Sequence, residues 1–487
     1  MDRIGPIRLS SRIAAVFGLA LMGFGLLLVS IVSKGIFFNM VTQLDNALYG
    51  QFLASRIRLS ANEVQKPSNV VIVGIDDKSL EELGAYNPET YRMYHVAGLR
   101  NLVEGRPRAV VFDILFADPH PDPAVDRALG EAMKKGRVFS VHFAAPEDHA
   151  GHMFDRGAYG GLSNIKSRAV QEGGFFSMIT PVYESLSGFG IANAYADTDG
   201  VLRKLPVVFN VNGKVYPTVA LEVYRAISGI PRESVRFSRG KIRVGERAVP
   251  ADADLRTRIP LLEDQYRIRQ ISFSDVVRGR VPAEFFRDKV VFVAATATGL
   301  GDNKLVPVYG YVPGVKVHAN LFLALTEDRL LDELTPKEYY VLLCLAALFY
   351  TFIFYNKKPG DGFVIGLLKA LFRRAVPMWL ANGFDRRFRR VQAALTRFAP
   401  YFHWLKNSYV ARFTVLLVRR TRSRVQDLLV QVLQLYVVLF VLFLYFDFFV
   451  KPTALIIQLL LAYIIVGEYK DVETLLAQPA TADAPKE

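Results

Sequence analysis

Asn69-Val70-Val71-Ile72-Val73-Gly74-Ile75-Asp76-Asp77 decides the fold class. The run from Val70 to Ile75 is unbroken, apolar and rich in β-branched side chains, as expected of a strand buried on both faces of a parallel sheet. Working outward, Tyr91 to Glu104 has helical spacing, with Val96, Leu99 and Val103 on one face. Ala109 to Phe112 predicts a second buried strand, Pro123 to Lys134 a helix, and Val138 to Phe143 a third strand. Strand, helix, strand, helix, strand with short links implies a parallel sheet with right-handed crossovers. Further on, Val211-Asn212-Gly213 between Leu202–Phe209 and Lys214–Pro217 is a hairpin signal, because Asn-Gly suits a turn with positive φ. A helix over Thr218–Ile227 follows. Arg236–Val249 alternates around two glycine turns and predicts a small antiparallel element. The chain then returns to a buried strand, Lys289–Ala294, a glycine loop, and a helix over Val317–Thr326. The fold class is α/β, one domain over 47–335 with a mixed, largely parallel sheet.

The flanks read differently. Ile13–Ser33 has twenty-one uncharged residues, Tyr339–Tyr355 seventeen, Leu428–Phe446 nineteen and Thr453–Gly467 fifteen. A crossing helix takes about 20 residues, so transmembrane helices are expected at 13–33, 339–356, 428–450 and 453–467, the last being the shortest. Arg3, Arg8 and Arg12 make a basic segment (1–12) ahead of the first run, but that run exceeds a signal peptide's apolar core and lacks a small-residue cleavage site, so it is read as an anchor. The positive-inside rule then puts 34–338 outside, and 357–426 and the tail 468–487 inside, giving an inner-membrane, multi-pass protein. Cys344 is the chain's single cysteine and lies in the second run, so no disulfide supports the external domain.

Charge is concentrated in one place. Lys357–Gln426 holds sixteen Lys or Arg against Asp361 and Asp385, which accounts for the +14 of the whole chain. Both tryptophans, Trp379 and Trp404, lie here, and Phe384, Phe388, Val391 and Leu395 mark an apolar helical face. Cationic helices with aromatic residues on the apolar face lie in a membrane interface, each base near an anionic leaflet contributing about 1 kcal/mol. Arg373, Arg374, Trp379, Arg386, Arg387, Arg389, Arg390, Trp404, Arg419 and Arg420 are the candidate surface. It would face anionic lipid or an acidic cytoplasmic protein partner. No nucleic-acid module accompanies these bases.

Five stretches carry a family resemblance. They are Ile75–Leu80 (IDDKSL), Val111–Phe116 (VFDILF), Ala196–Pro206 (ADTDGVLRKLP), Ala295–Asp302 (ATATGLGD) and Pro313–Asn320 (PGVKVHAN). In order and spacing they resemble the type-two CHASE sensor domain, an extracytoplasmic module of bacterial adenylate cyclases, histidine kinases and other signalling proteins. The resemblance covers roughly Gln51–Leu334 and implies one span before the domain and three after it. This chain departs from the pattern at Tyr86-Asn87-Pro88-Glu89, at Ala294, and in its seventy-residue basic insertion. A catalytic domain normally follows the last span, whereas about twenty residues do so here.

Candidate ligand groups gather where open α/β sheets bind ligands, at the carboxyl ends of strands. Asp76 and Asp113 end predicted strands. Thr296, Thr298, Gly299, Gly301 and Asp302 lie in the glycine loop, whose N–H groups could hold an anion, and His318 and Asn320 open the next helix. Capping and tight-turn roles account for the same residues. Asp197-Thr198-Asp199-Gly200 reads as a turn, since a full calcium loop is absent. His149 and His152 read as loop residues, and no metal site or cofactor is expected. No nucleophile–base arrangement or Gly-Lys-Ser/Thr loop is present, so an enzyme is not expected. The expected function is a sensor that relays to a separate cytoplasmic protein through the basic module. The alternative is a scaffold subunit that forms homo-oligomers through its external domain.

Overall fold

The computed structural model describes residues 18, 25, 36–61, 63–149, 157–300, 302–356 and 424–477. The chain divides into two units, one of residues 50–336 with 447–449, the other of 1–49, 337–446 and 450–487.

The larger unit is built on a six-stranded sheet: β1 (Lys66–Ile75), β2 (Ala109–Asp113), β3 (Val138–His142), β4 (Gly188–Ile191), β5 (Tyr266–Ser272) and β6 (Val290–Ala295). Their order is β5-β1-β6-β2-β3-β4, and every neighbouring pair is parallel. The helices that position the site are α1 (Ile36–Ser60), α2 (Asp77–Leu83), α3 (Pro88–Glu104), α4 (Pro123–Lys134), α5 (Val219–Ile227) and α6 (Gly314–Glu327). Helices α3 and α4 begin with proline behind Asn87 and Asp122, whose side chains accept from the first free N–H groups. Residues 70–75 are all buried, as a centrally placed strand with both faces covered requires. Val71, Val73 and Ile75 share a core with Leu99 and Leu102 of α3 and Leu129 and Met133 of α4. The alternate parity serves the other face, where the Phe292 and Phe322 rings meet at 6.0 Å. Phe112, 1% exposed, sits centrally enough that truncation to alanine would cost about 3–5 kcal/mol.

Antiparallel pairing occurs in separate small sheets. Val208–Val211 and Lys214–Pro217 form the expected hairpin, with Asn212 (φ 46°) and Gly213 (φ 80°) at its tip. Three short strands over 236–250 form a meander, and Asn303–Val306 pairs with Gly310–Pro313 just before α6. Two strands of the main sheet escape sequence reading. β4 is Gly-Phe-Gly-Ile, short and half glycine, and β5 is an edge strand whose exposed Arg267 and Arg269 break the continuous apolar pattern. The last helix starts at Gly314, three residues earlier than expected, behind Pro313.

Residues 447–449 complete this unit from far along the chain. Asp332 and Glu333 pair in parallel with Phe448 and Phe449. Arg329 Nε lies 2.7 Å from Asp447 Oδ2, and Phe449, 1% exposed, packs against the Phe52 ring and under the Arg258 guanidinium.

In the other unit the apolar segments are helical: α7 (Pro336–Asn356), α8 (Arg424–Phe446) and α9 (Pro452–Ala477). Asp45 caps α9 by accepting the Thr453 N–H at 2.9 Å, and Tyr339 Oη donates to the Lys451 carbonyl at 3.0 Å. Among the described residues no helix is long and apolar enough to cross a membrane. The runs expected to span at 339–356, 428–450 and 453–467 lie largely in these helices, and their crossing is not supported among these residues. Charges enter α7 at Lys337 and Glu338 and α9 from Glu468 onward, and Asp427, Gln431 and Gln434 occupy the first half of α8. The expected span at 13–33, apart from Gly18 and Gly25, and the helices expected within 357–423 lie outside the described residues.

Candidate functional site

The carboxyl ends of β1, β2 and β6 meet the loops that carry most of the candidate residues, and the loops divide them into two groups. The first group is closed by its own hydrogen bonds. Asp76 caps α2, and its Oδ1 accepts from the Ser79 N–H (2.9 Å), Ser79 Oγ (2.7 Å) and Ser272 Oγ (2.7 Å). The same Ser79 Oγ accepts the Ser274 N–H at 3.2 Å, so this knot ties β1 to the end of β5. The glycine loop folds back onto β1, because the Thr296 and Ala297 N–H groups both donate to the Ile75 carbonyl, at 3.0 and 2.9 Å. Glycine at 74 makes room for this, since a Cβ there would lie 2.2 Å from Thr296 Oγ1. Gln270 Nε2 donates to Thr296 Oγ1, and Thr298 donates to Asp77 through both N–H and hydroxyl, at 3.3 Å each. Gly299 is exposed, and Gly301 lies outside the described residues.

The second group makes fewer hydrogen bonds of its own. Asp113, at the end of β2 opposite Ala294 of β6, is half-buried and accepts no hydrogen bond among the described residues. Burial, then the neighbouring Asp302 carboxylate, push its carboxyl up to about 7, with Lys304 opposing. Asp302 pairs with Lys304 Nζ at 2.7 Å, and its main-chain oxygen accepts the Gly314 N–H at 2.7 Å. Its Oδ2 lies where a Cβ on Gly314 would be, 2.0 Å away, so the carboxylate rests at the positive end of the fourteen-residue α6. One turn along α6 is His318, 4% exposed. Its ring donates to the Ala192 carbonyl beyond β4, while Nδ1 has no hydrogen-bond partner. Burial pushes this imidazole down to about 4, so it is neutral at physiological pH, and Asp302 and Lys304 are the charges it senses. Asp302 and Lys304 are therefore the charges that bear on both Asp113 and His318.

The segment after Asp113 is held from below. Arg92 of α3 pairs with Asp126 of α4, their side chains 3% and 5% exposed. Arg92 also donates to the Asp118 carbonyl at 2.9 Å and stacks over Phe116, while Asp126 accepts the His120 N–H at 2.8 Å. Such supports fix a site before a ligand arrives.

The remaining candidates are placed elsewhere. Asn320, fully buried, accepts the Leu262 N–H at 2.7 Å and donates to Glu263 and the Lys316 carbonyl, so it pins the 259–264 loop to α6. Asp197 and Asp199 turn onto Arg203, at 3.0 and 2.7 Å. His149 stacks on Phe176. His95 is caged by Phe112, Phe116 and Phe273 and pushed down to about 3 by burial, which makes it a neutral core residue. A hollow of about 580 Å³ runs along edge strand β5, beside Arg267, Arg269 and Phe285. Among the described residues no group of three or more His, Cys, Asp or Glu could hold a metal ion. Arg373, Arg374, Trp379, Arg386, Arg387, Arg389, Arg390, Trp404, Arg419 and Arg420 lie outside the described residues. Lys304 is the member that sequence reading misses. Its only signal is its place two residues after Asp302.

The fold is a parallel α/β domain with polar groups at the carboxyl edge of its sheet, where open α/β sheets bind ligands. The chain belongs to the CHASE2 domain family, whose sequence profile matches residues 23–353. The CHASE2 domain is an extracellular sensor domain of signalling proteins. No curated protein and no solved structure matches the chain.

Proposed function

We propose that this chain is a multi-pass inner-membrane sensor without its own enzyme. Its 34–338 region is extracytoplasmic, and it relays to a separate cytoplasmic protein through the basic 357–426 module. The observation that carries the reading is the engagement of 447–449 with the sensor unit. Those residues connect α8 to α9, so a rearrangement of the domain that weakens the Asp332–Phe448 pairing or the Arg329–Asp447 contact acts on the chain leading to both helices. Only a ligand with different affinity for two such arrangements can shift them. Exposed apolar side chains support the membrane setting: Val341 and Leu345 on α7, Val438 and Phe446 on α8, and Ile464 on α9 are 56–69% exposed. The basic module would rest on anionic lipid and present its remaining charge to an acidic partner. The scaffold reading, with homo-oligomers formed through the external domain, draws on the Asp76 knot, which is filled by its own side chains.

Cysteine accessibility and cross-linking in cells test the proposal. A cysteine at Gly213 should react with an impermeant maleimide in intact spheroplasts, and one at Arg387 only after permeabilisation. A cytoplasmic protein cross-linked to the wild type should be lost when Arg386, Arg387, Arg389 and Arg390 are all changed to Gln. Labelling at Arg387 in intact spheroplasts would overturn the topology. Unchanged cross-links in the Gln variant would overturn the relay, and cross-links solely between copies of this chain would favour the scaffold.

A further inference from the structure

We propose that the free edge of β5 is a docking site for an extended peptide segment carrying acidic side chains at alternate positions. The inference goes beyond the sensor reading and does not depend on it. β5 ends the order of the main sheet and, among the described residues, pairs with β1 alone. The N–H and C=O groups on its other side are therefore left without a strand partner. A hollow of about 580 Å³ lies along this edge, lined by the consecutive residues Arg267 to Ile271 with Val281 and Phe285. A strand laid there meets main-chain donors and acceptors at the repeat of its own backbone.

The side chains set the chemistry of that strand. Alternate residues share a face, which puts Arg267, Arg269 and Ile271 on one side of β5. Ile271, Val281 and Phe285 pack against the domain core and give this side an apolar floor. The Arg269 guanidinium lies 5.6 Å from the centre of the Phe285 ring, and the Lys289 ammonium 4.9 Å from it. Among the described residues neither of these cations, nor Arg267, has a carboxylate partner, and no acid lines the hollow. Residues two apart in a strand are about 6.6–6.8 Å apart, a repeat shared by both members of a pair. Acids at every second position of an added strand thus meet Arg267 and Arg269 in either direction of pairing, and arginine binds carboxylate through a two-pronged contact. The same charges disfavour a second copy of this edge, since antiparallel pairing of two β5 strands sets arginine near arginine. A small carboxylate would meet the guanidinium groups but leave the main chain of the edge unpaired.

The test uses the full-length protein in detergent and a fluorescent peptide of about eight residues, alternating threonine and glutamate, read by anisotropy. The peptide is expected to bind and to slow amide exchange within 267–271. Arg267→Gln combined with Arg269→Gln, both at exposed positions, should weaken it about tenfold, the combined effect of two surface ion pairs. Arg267→Glu with Arg269→Glu should reverse the preference, so that a threonine–lysine peptide binds in its place. Of two forms of the peptide N-methylated at alternate sets of residues, one should lose binding and the other keep it, because only every second N–H faces the edge. Equal effects of the two methylations, or equal binding of a peptide with its glutamates in one block, would overturn strand addition. Displacement by glutarate at equal concentration would overturn the peptide in favour of a small carboxylate. Protection of 267–271 that rises with protein concentration in the absence of peptide would overturn it in favour of self-pairing. Failure of a cooperatively melting protein to bind the peptide would overturn the site and leave the arginines as guards of the edge.

Discussion

Replacing Asp113 with Asn should make the ligand-free protein more stable, and only above a certain pH. The folded carboxyl ionises near 7, against an ordinary value of 3.8, so the native state holds this proton more tightly than the unfolded chain does. Below about pH 4 both states are protonated and the side chain is neutral to stability. Between pH 4 and 7 the unfolded chain ionises freely while the folded one resists, and destabilisation grows with pH until it is complete above 7. At about 1.4 kcal/mol per pH unit, that separation sets a ceiling of about 4 kcal/mol. Asp113 keeps part of its surface in solvent, and screening by that water brings the expected gain for Asp113→Asn to about 2 kcal/mol at pH 8. Urea titration of the full-length protein in a mild detergent, read by pulse proteolysis at pH 4.5, 6 and 8 and constant salt, measures it. The wild type and the variant should differ little at pH 4.5 and separate progressively toward pH 8. A variant less stable at pH 8, or a gap independent of pH, would mean that the carboxylate is well paired and would refute the reasoning.

Three further substitutions probe what holds the site and its surroundings. Glu222, fully buried, accepts from Tyr159 Oη (2.5 Å), Arg225 (2.8 Å) and Arg232 (2.6 Å), so Glu222→Ala removes the carboxylate these three share and should lower unfolding free energy by about 3–5 kcal/mol; a loss under 1 kcal/mol would count against that network. Gly314→Ala drives a methyl group into Asp302 Oδ2 and should lower the Asp113 ionisation point, seen by carboxyl NMR titration; an unmoved titration would uncouple the two acids. Phe449→Ala should cost about 3–5 kcal/mol locally and speed amide exchange at Asp332 and Glu333, without altering exchange in β2 or β3; uniform acceleration would show that this turn is not a separable piece.

The main sheet was legible wherever burial on both faces left an apolar run, as in β1, β2, β3 and β6. It was illegible at β5, because an edge strand with arginines on its open side carries no such run, and at β4, which packs through glycine and one phenylalanine. Site candidates were found by their position at strand ends and helix starts, and position alone selected Asp113, Asp302 and His318. It also selected Asp76 and Asn320, whose partners come from distant segments. The Ser272 that saturates Asp76 is 196 residues away and the Leu262 N–H that meets Asn320 is 58 away, separations that no local pattern encodes. Lys304 was overlooked for the converse reason. A lone lysine in a hairpin means little until the fold places an unpaired carboxylate beside it.

The pairing of 332–333 with 448–449 has a consequence for synthesis. The final strand of the sensor unit is made roughly 115 residues after its partner, beyond the whole basic module. At about 5–20 residues per second, some 6–23 s pass between the two. Throughout that interval the berth for the Phe449 ring, between Phe52 and Arg258, has no occupant from its own chain. The nascent domain is thus left with an unfilled aromatic berth until Phe449 is made, and a peptide mimicking Asp447–Phe449 offered during that window would find the place open.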